Sequence, residues 1–410
     1  MSAKPQLLFL SHCLPYPPQT GVTIRTFNIL RQLVRGFDIT LVMFSRVNHQ
    51  PDAIARASAR QALQDAGIRA MPAVPVPSEH SVVRRVWDHL RSIAARRAYT
   101  YYEYDSPNFK SRLRDVLAQC RPDLIHMDSI DLHAWLSELP EVPITCTHHD
   151  LESQGLQQRS EHVGSRVLGR YIRLQAEFVE RAERLWCPSF AANLMMSDLD
   201  ATRLETLVPG ARTLVVPNGV DCAYFTPVSA SPTAGRVVFV GGTYFFPNRD
   251  AVEYLMSDIW SRVRAARGSA SLRLIGRSSE ADQARYDAVP GVVSLGQVPD
   301  VRPHIAEACC CVVPIRFGGG TRIKVLDAWA MGKAVISTSR GCEGLEAVDG
   351  ENILIRDTPQ EIADAVVRVL DDGELRLRLG KGGRATVDER YSWDIIGERL
   401  REAYSDLLPN

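Results

Sequence analysis

The chain has 410 residues, with 48 lysines and arginines balanced by 48 aspartates and glutamates, and a hydrophobic share of 45%. That length exceeds one ordinary core and implies two well-buried domains, while the balanced charge gives no global attraction for nucleic acid. The apolar run near the start (Leu7 to Leu10) is too short for a signal peptide and no 18-residue apolar run follows, so the expectation is a cytoplasmic protein.

In chain order, "QLLFLSH" (Gln6–His12) reads as a strand, and "TIRTFNILRQLVRG" (Thr23–Gly36) as a helix with Ile24, Phe27, Leu30 and Leu33 on one face. A basic amphipathic helix lies within Ser81–Tyr104, where Val83, Val86, Trp87, Leu90 and Ile93 share a face and five arginines cluster elsewhere. It fits either an anionic membrane surface or a core with a solvated arginine face. Further strands are expected at Asp38–Phe44, Asp123–Met127, Pro143–His149 and Arg184–Ser189, the last after a long helix over Ser165–Glu183. A Pro/Ser/Thr/Gly-rich linker, Phe225–Arg236, then separates two halves.

The pattern restarts with strands at Val237–Gly242, Leu272–Gly276, Val292–Gly296, Cys310–Ile315, Ala334–Thr338 and Asn352–Ile355. A helix is expected near Arg249–Ala266, and two more close the chain at Pro359–Leu370 and Trp393–Leu408. Alternating strands and helices imply parallel sheets covered on both faces. The fold class is therefore α/β, with two tandem Rossmann-like doubly wound parallel sheets facing an interdomain cleft. Residues 1–215 form the first domain, 216–390 the second, and 391–410 a helix packing back toward the first. The nine cysteines form no CxxC pair, and Cys309, Cys310 and Cys311 read as small buried hydrophobes in a reducing compartment.

Three strands of the second half end on glycine, at Gly241 and Gly242, at Gly276, and at Gly318 to Gly320. Glycine lets a backbone approach a ligand closely, and the following helix offers free N–H groups and a positive dipole end. One such site could be only a tight turn; three at one end of a sheet point to an anion. In "PIRFGGGTRIKVLDAWAMGKAVIST" Thr321 falls at the helix start, with Arg322 and Lys324 in the first turn, where cations oppose the dipole. Asp327 could pair with Lys324, which leaves Arg322 and the glycines unexplained. A diphosphate accounts for all of them. Neither the Walker A spacing nor a dinucleotide fingerprint is present.

Over nearly its whole length the chain resembles the retaining glycosyltransferases of family 4, which have the two-Rossmann-domain B architecture. The segment "GGGTRIKVLDAWAMGKAVIST" follows the family's donor motif "EGFGLxxxEAMAxGxPVVAS" from its middle onward, with Asp327 on the second glutamate. "PNGVD" (Pro217–Asp221), "FVGG" (Phe239–Gly242), "GCEGL" (Gly341–Leu345) and "YSWDIIGERLREAY" (Tyr391–Tyr404) match further landmarks in order. Two departures stand out. The first motif glutamate falls on Gly319, and the arginine and lysine usual after "FVG" are replaced by Gly242-Thr243-Tyr244.

The resemblance implies metal-independent transfer of a sugar from a nucleotide-diphosphate sugar to a glycan or lipid-linked acceptor in cell-surface polysaccharide synthesis. It implies that His149 and Asp150 of "CTHHDLES" serve catalysis, His149 by contacting the donor sugar. Gly21 of "PYPPQTGVTIR" would meet donor phosphate or acceptor, with Arg25 a weaker candidate, and Asp327 would bond the ribose hydroxyls. Gly241, Gly242, Gly276, Gly319, Gly320, Thr321, Arg322 and Lys324 complete the expected donor site, the two cations standing in for the missing pair. No cofactor or metal is expected. The one DxD, Asp198-Leu199-Asp200, reads as a helix end or turn, and His126, Asp128, His148 and His149 lack a recognised zinc spacing. Expected partners are the nucleotide sugar, the acceptor, and peripheral inner-membrane contact through residues 81–104. A nucleotide-sugar 2-epimerase and a degenerate nucleotide-sugar-binding subunit share the architecture. The first would need a pair of acid/base carboxylates, and none is evident.

Overall fold

The computed structural model describes residues 4–228, 232–318 and 322–408. The chain divides into two compact units: one runs to Pro217 and takes back the stretch from Ile396, the other is Asn218–Ile395.

The first unit is built on β1 (Gln6–Ser11), β2 (Asp38–Ser45), β3 (Arg69–Ala70), β4 (Val74–Pro75), β5 (Leu124–Met127), β6 (Ile144–Thr147), β7 (Ala192–Met195) and β8 (Thr213–Val215). They are ordered β3-β2-β1-β5-β6-β7-β8, with β4 beside β2. All pairings are parallel, and Leu7 of β1 sits opposite both Ile39 and Leu124. A strand between two parallel neighbours has helices on both faces, so its sequence is a continuous apolar run; Leu7 to Leu10 are all 0% exposed. Chain order reverses between β1 and β5, where a doubly wound sheet opens a crevice at its carboxyl edge.

Arg184–Ser189 is not a strand. The helix Arg166–Trp186 continues through Leu185 and Trp186, a 3-10 turn covers Cys187–Ser189, and the strand is the next apolar run, β7. The helix extends because Ile172, Ala176, Val179 and Glu183 keep helical spacing on its buried side, a period that a short apolar window conceals.

The second unit contains β9 (Arg236–Val240), β10 (Ser271–Ile275), β11 (Val292–Gly296), β12 (Cys310–Val313), β13 (Ala334–Ser337) and β14 (Leu354–Ile355). Their order, β11-β10-β9-β12-β13-β14, reverses between β9 and β12. Three helices follow β14 rather than two: Pro359–Asp371, Gly373–Thr386 and Trp393–Ser405. Glycines hide the middle one in the sequence. A Cβ at Gly380 would strike the carbonyl of Gly332, and one at Gly383 the indole of Trp329. These positions are bare because the helix lies tight against its neighbours, not because it is weak. Trp329 is wholly buried and its indole N–H donates to the Asn352 carbonyl at 2.8 Å. All nine cysteines are free thiols, so packing alone closes both units.

Candidate functional site

The crevice of the second unit is formed where β9 and β10 end. A Cβ on Gly276 would lie 2.5 Å from the carbonyl carbon of Gly241, and one on Gly242 3.1 Å from the Arg277 carbonyl oxygen. Only glycine lets the two strand ends close up at Gly276. The helix Ile323–Ala330 aims its first turn at this point. Lys324 reaches across it, with Nζ 2.5 Å from Asn248 Oδ1 and 4.7 Å from the centroid of the Phe239 ring. A Cβ on Gly241 would stand 2.8 Å from that Nζ. Asn248 in turn donates to the Gly242 carbonyl at 3.0 Å. Burial, then the positive charge of Arg322, draws the Lys324 amine down to about 7.

Arg322 and Lys324 do not act as an equivalent pair. The Arg322 guanidinium is buried and donates to the carbonyls of Gly318, at 2.6 Å, and Arg340, at 3.2 Å. It ties two loops together and raises the local potential, while Lys324 supplies the ammonium at the strand ends. Asp327 does not pair with Lys324. Among the described residues its half-buried carboxyl has no partner, and burial pushes it up to about 8. Gly319, Gly320 and Thr321 lie outside the described residues.

The crevice of the first unit gathers residues that follow β1, β5 and β6. His149 Nε2 donates to the main-chain oxygen of Asp128 at 2.8 Å and stands 3.4 Å from its Oδ1. His12 Nδ1 lies 3.8 Å from Asp128 Oδ2, and the His12 and His149 rings meet edge-on at 5.4 Å. Burial alone would push the Asp128 carboxyl up. The neighbouring imidazoles of His149, His126 and His12 outweigh that and hold it well below the usual carboxylate range. Burial also takes His12 down to about 4, so its imidazole is neutral near pH 7.

Asp150 turns away from this cluster, its Oδ1 accepting from the Leu151 N–H at 2.9 Å beside the helix Glu152–His162. Gly21 opens the helix Gly21–Leu33, capped by Thr20, but Arg25 is wholly buried and cannot reach a ligand at the surface. His148 is bonded to Asn193 at 3.0 Å, so His126, Asp128, His148 and His149 do not converge as a metal set. His12, Cys13 and Asp128 do place ligand atoms within 4.8 Å of one another. However, burial pushes the Cys13 thiol up to about 12, and Asp128 Oδ2 is already occupied by Ser11 and Thr26. Asp198-Leu199-Asp200 opens the helix Asp198–Leu207, where Asp200 accepts from the capping Ser197 hydroxyl at 2.8 Å.

Within Ser81–Tyr104, the helix Val82–Ala95 is turned inside out. Asp88 and Ser92 face inward and are fully buried, whereas Val83, Val86, Trp87, Leu90 and Ile93 are exposed, Val83 to 81%. Arg84 and Arg91 neutralise Asp88 at 2.7 and 3.5 Å. Of the two packings open to this sequence, the one that buries its apolar face on the core is not adopted.

A family model described as Glycosyltransferase Family 4 matches residues 19–224, half of the chain, and one described as Glycosyl transferases group 1 matches 234–372. The chain belongs to glycosyltransferase family 4. Among curated proteins, this glycosyltransferase is similar to a phosphatidyl-myo-inositol mannosyltransferase of Mycobacterium tuberculosis, at 25% identity over 87% of its own length and 88% of the relative's. Among solved structures it resembles sucrose-phosphate synthase from Thermosynechococcus elongatus, with a TM-score of 0.71, 19% identity and coverage of 98% and 99% of the two chains. It also resembles Anabaena HepE in complex with UDP, with a TM-score of 0.69, 14% identity and coverage of 98% and 100%. At these identities the structural likeness is one of fold: two Rossmann-type units of the B architecture.

Sequence reasoning missed Asn248 and His12 in this glycosyltransferase, and weighed Asp128 only as a metal ligand. His12 and Asp128 each follow directly on a strand, β1 and β5, that borders the reversal of strand order. Their place in the sequence was visible, but its meaning depends on sheet order. Asn248 lies in a helix that begins at Phe246 and carried no sequence signal of its role.

Proposed function

We propose that this enzyme is a metal-independent retaining transferase, moving a sugar from a nucleoside diphosphate sugar to a glycan or lipid-linked acceptor in cell-surface polysaccharide or glycolipid synthesis. The observation that carries the reading is Lys324, an amine at the glycine-lined end of β9 with Arg322 for a charged neighbour and, among the described residues, no carboxylate partner. A diphosphate matches such a site, since it relieves the repulsion between the cations and accepts from the free N–H groups of the helix start. As the glycosidic bond breaks, charge grows on the leaving diphosphate, and Lys324 with the helix dipole is already oriented to hold it. Asp327 would accept from or donate to the ribose hydroxyls, and His149 would meet the sugar from the first unit. In this reading residues 1–215 serve the acceptor, and 216–390 the donor. The commitment of Asp198 and Asp200 to a helix start supports a metal-free leaving-group mechanism.

The outward apolar face of Val82–Ala95, with Arg85, Arg96 and Arg97 exposed beside it, supports peripheral contact with an anionic membrane and a lipid-linked acceptor. The lipid in the mycobacterial relative's name supports the same reading. No helix among the described residues is long and apolar enough to cross a membrane.

Thermal denaturation with UDP, GDP and dTDP, free and as their sugars, tests the donor assignment. One base is expected to raise the melting temperature by about 3–6 °C at saturating ligand, and Lys324→Ala to reduce the shift. Stabilisation by none of them, or an equal shift in the variant, overturns it.

A further inference from the structure

His149 donates from Nε2 to the Asp128 main-chain oxygen at 2.8 Å. A carbonyl only accepts, so Nε2 carries a proton, and in the neutral ring Nδ1 keeps its lone pair. Nδ1 is buried and has no hydrogen-bond partner among the described residues. It is the atom left to accept from a substrate hydroxyl.

Asp128 is fully buried; its Oδ2 is held by hydrogen bonds, while Oδ1 has no hydrogen-bond partner among the described residues. Ser11 and Thr26 donate to Oδ2 at 2.9 and 2.7 Å. Oδ1 faces two imidazole nitrogens, His149 Nε2 at 3.4 Å and His126 Nε2 at 3.9 Å. His126 is likewise wholly buried, and its Nδ1 lies 2.6 Å from the hydroxyl of Tyr404, 278 residues along the chain. With Tyr404 donating to Nδ1, the His126 proton sits on Nε2, toward Oδ1 and toward Thr147 Oγ1 at 3.2 Å. The other tautomer would set a lone pair against the carboxylate. Thr145, 3.0 Å from the Tyr404 hydroxyl, can spend its own proton on the Ile125 carbonyl or on Tyr404, which leaves the tyrosine proton for His126. The other charged or titratable neighbours of Asp128 are Arg25, His12, Cys13 and Cys146, and of these Arg25 and Cys146 also neighbour Tyr404.

We propose that Asp128 and Tyr404 are positioning residues of the transfer reaction, forming a buried chain Tyr404–His126–Asp128–His149. The Asp128 main chain fixes the His149 tautomer, its carboxylate holds the ring and enriches Nδ1, and Tyr404 acting through His126 keeps that carboxylate in place. The inference rests on the reading that His149 meets the donor sugar.

Steady-state kinetics of donor hydrolysis or transfer by the full chain, for Tyr404→Phe, Asp128→Asn and His149→Ala, tests it. Tyr404→Phe is expected to lower kcat about fivefold to tenfold with donor KM within about twofold, and Asp128→Asn to lower kcat about a hundredfold. In imidazole 15N–1H spectra the His149 Nε2–H proton should move upfield in both. Should Asp128→Asn fail to fold, Tyr404→Phe, which deletes one hydroxyl, still decides the matter. Wild-type kcat and an unmoved His149 signal in Tyr404→Phe, alongside an impaired His149→Ala, overturn the inference and leave the site reading intact. A fully active His149→Ala removes both.

Discussion

Burial and Arg322 bring the Lys324 amine to about 7, far below an ordinary lysine, and a bound anion reverses that shift by favouring the charged form. The linkage has a definite sign. Below the free-state value the amine is already protonated and affinity for a nucleoside diphosphate is flat. Above it, each ligand must bring a proton, and affinity falls by up to about tenfold per pH unit. Asp327 adds to the loss, because its carboxyl, held up to about 8, gains a negative charge beside the anion as the pH rises past that point. Isothermal titration at pH 6.5 and 8.5 should show this weakening, and Lys324→Met should flatten most of it. A constant Kd across that range would mean the amine does not touch the ligand. From the sequence, Arg322 and Lys324 looked interchangeable, as cations in one helical turn. Their difference lies in which acceptors each side chain reaches, two loop carbonyls for Arg322 and Asn248 for Lys324. Of those acceptors, Arg340 and Asn248 lie 18 and 76 residues away in the chain.

Elements were legible wherever burial imposed a simple period. β1, β9 and β12 are continuous apolar runs because both their faces are covered, and the sequence places them within a residue or two. Legibility failed where tertiary contact overrode local pattern. Leu185-Trp186-Cys187 resembles a strand only if the helical spacing before it is ignored. Gly373–Thr386 resembles a loop because its glycines answer to neighbours across the fold. Gly380→Ala weighs these forces against each other. Alanine gains about 1 kcal/mol in helix propensity, but its Cβ would meet the rigid Gly332 backbone, and overpacking of that kind costs about 1–3 kcal/mol or more. Net destabilisation is expected, read as a lower denaturation midpoint. A midpoint equal to or above wild type would show that the two segments can move apart freely.

For the molecule as a whole, the inverted helix Val82–Ala95 is the feature on which the proposed membrane contact rests. Its polar side is spent on Asp88 and Ser92 within the fold, so the exposed valines, Trp87, Leu90 and Ile93 have nothing of their own unit to cover them. Flotation with anionic vesicles should recover the protein, and Trp87→Glu with Leu90→Glu should reduce recovery about tenfold or more. Donor binding should be unchanged in that double variant. Equal flotation of both proteins, or none by the wild type, would leave the apolar stripe without a lipid role.

The division of the chain also constrains how the enzyme comes to be made. Asn218–Ile395 is uninterrupted, whereas the first unit begins at one terminus and is completed only by the stretch from Ile396. During synthesis the second unit emerges whole and can fold while the first still waits for its last helix. Until Tyr404 leaves the ribosome, His126 lacks its tyrosine partner and the face of Phe37 that meets that ring stays uncovered.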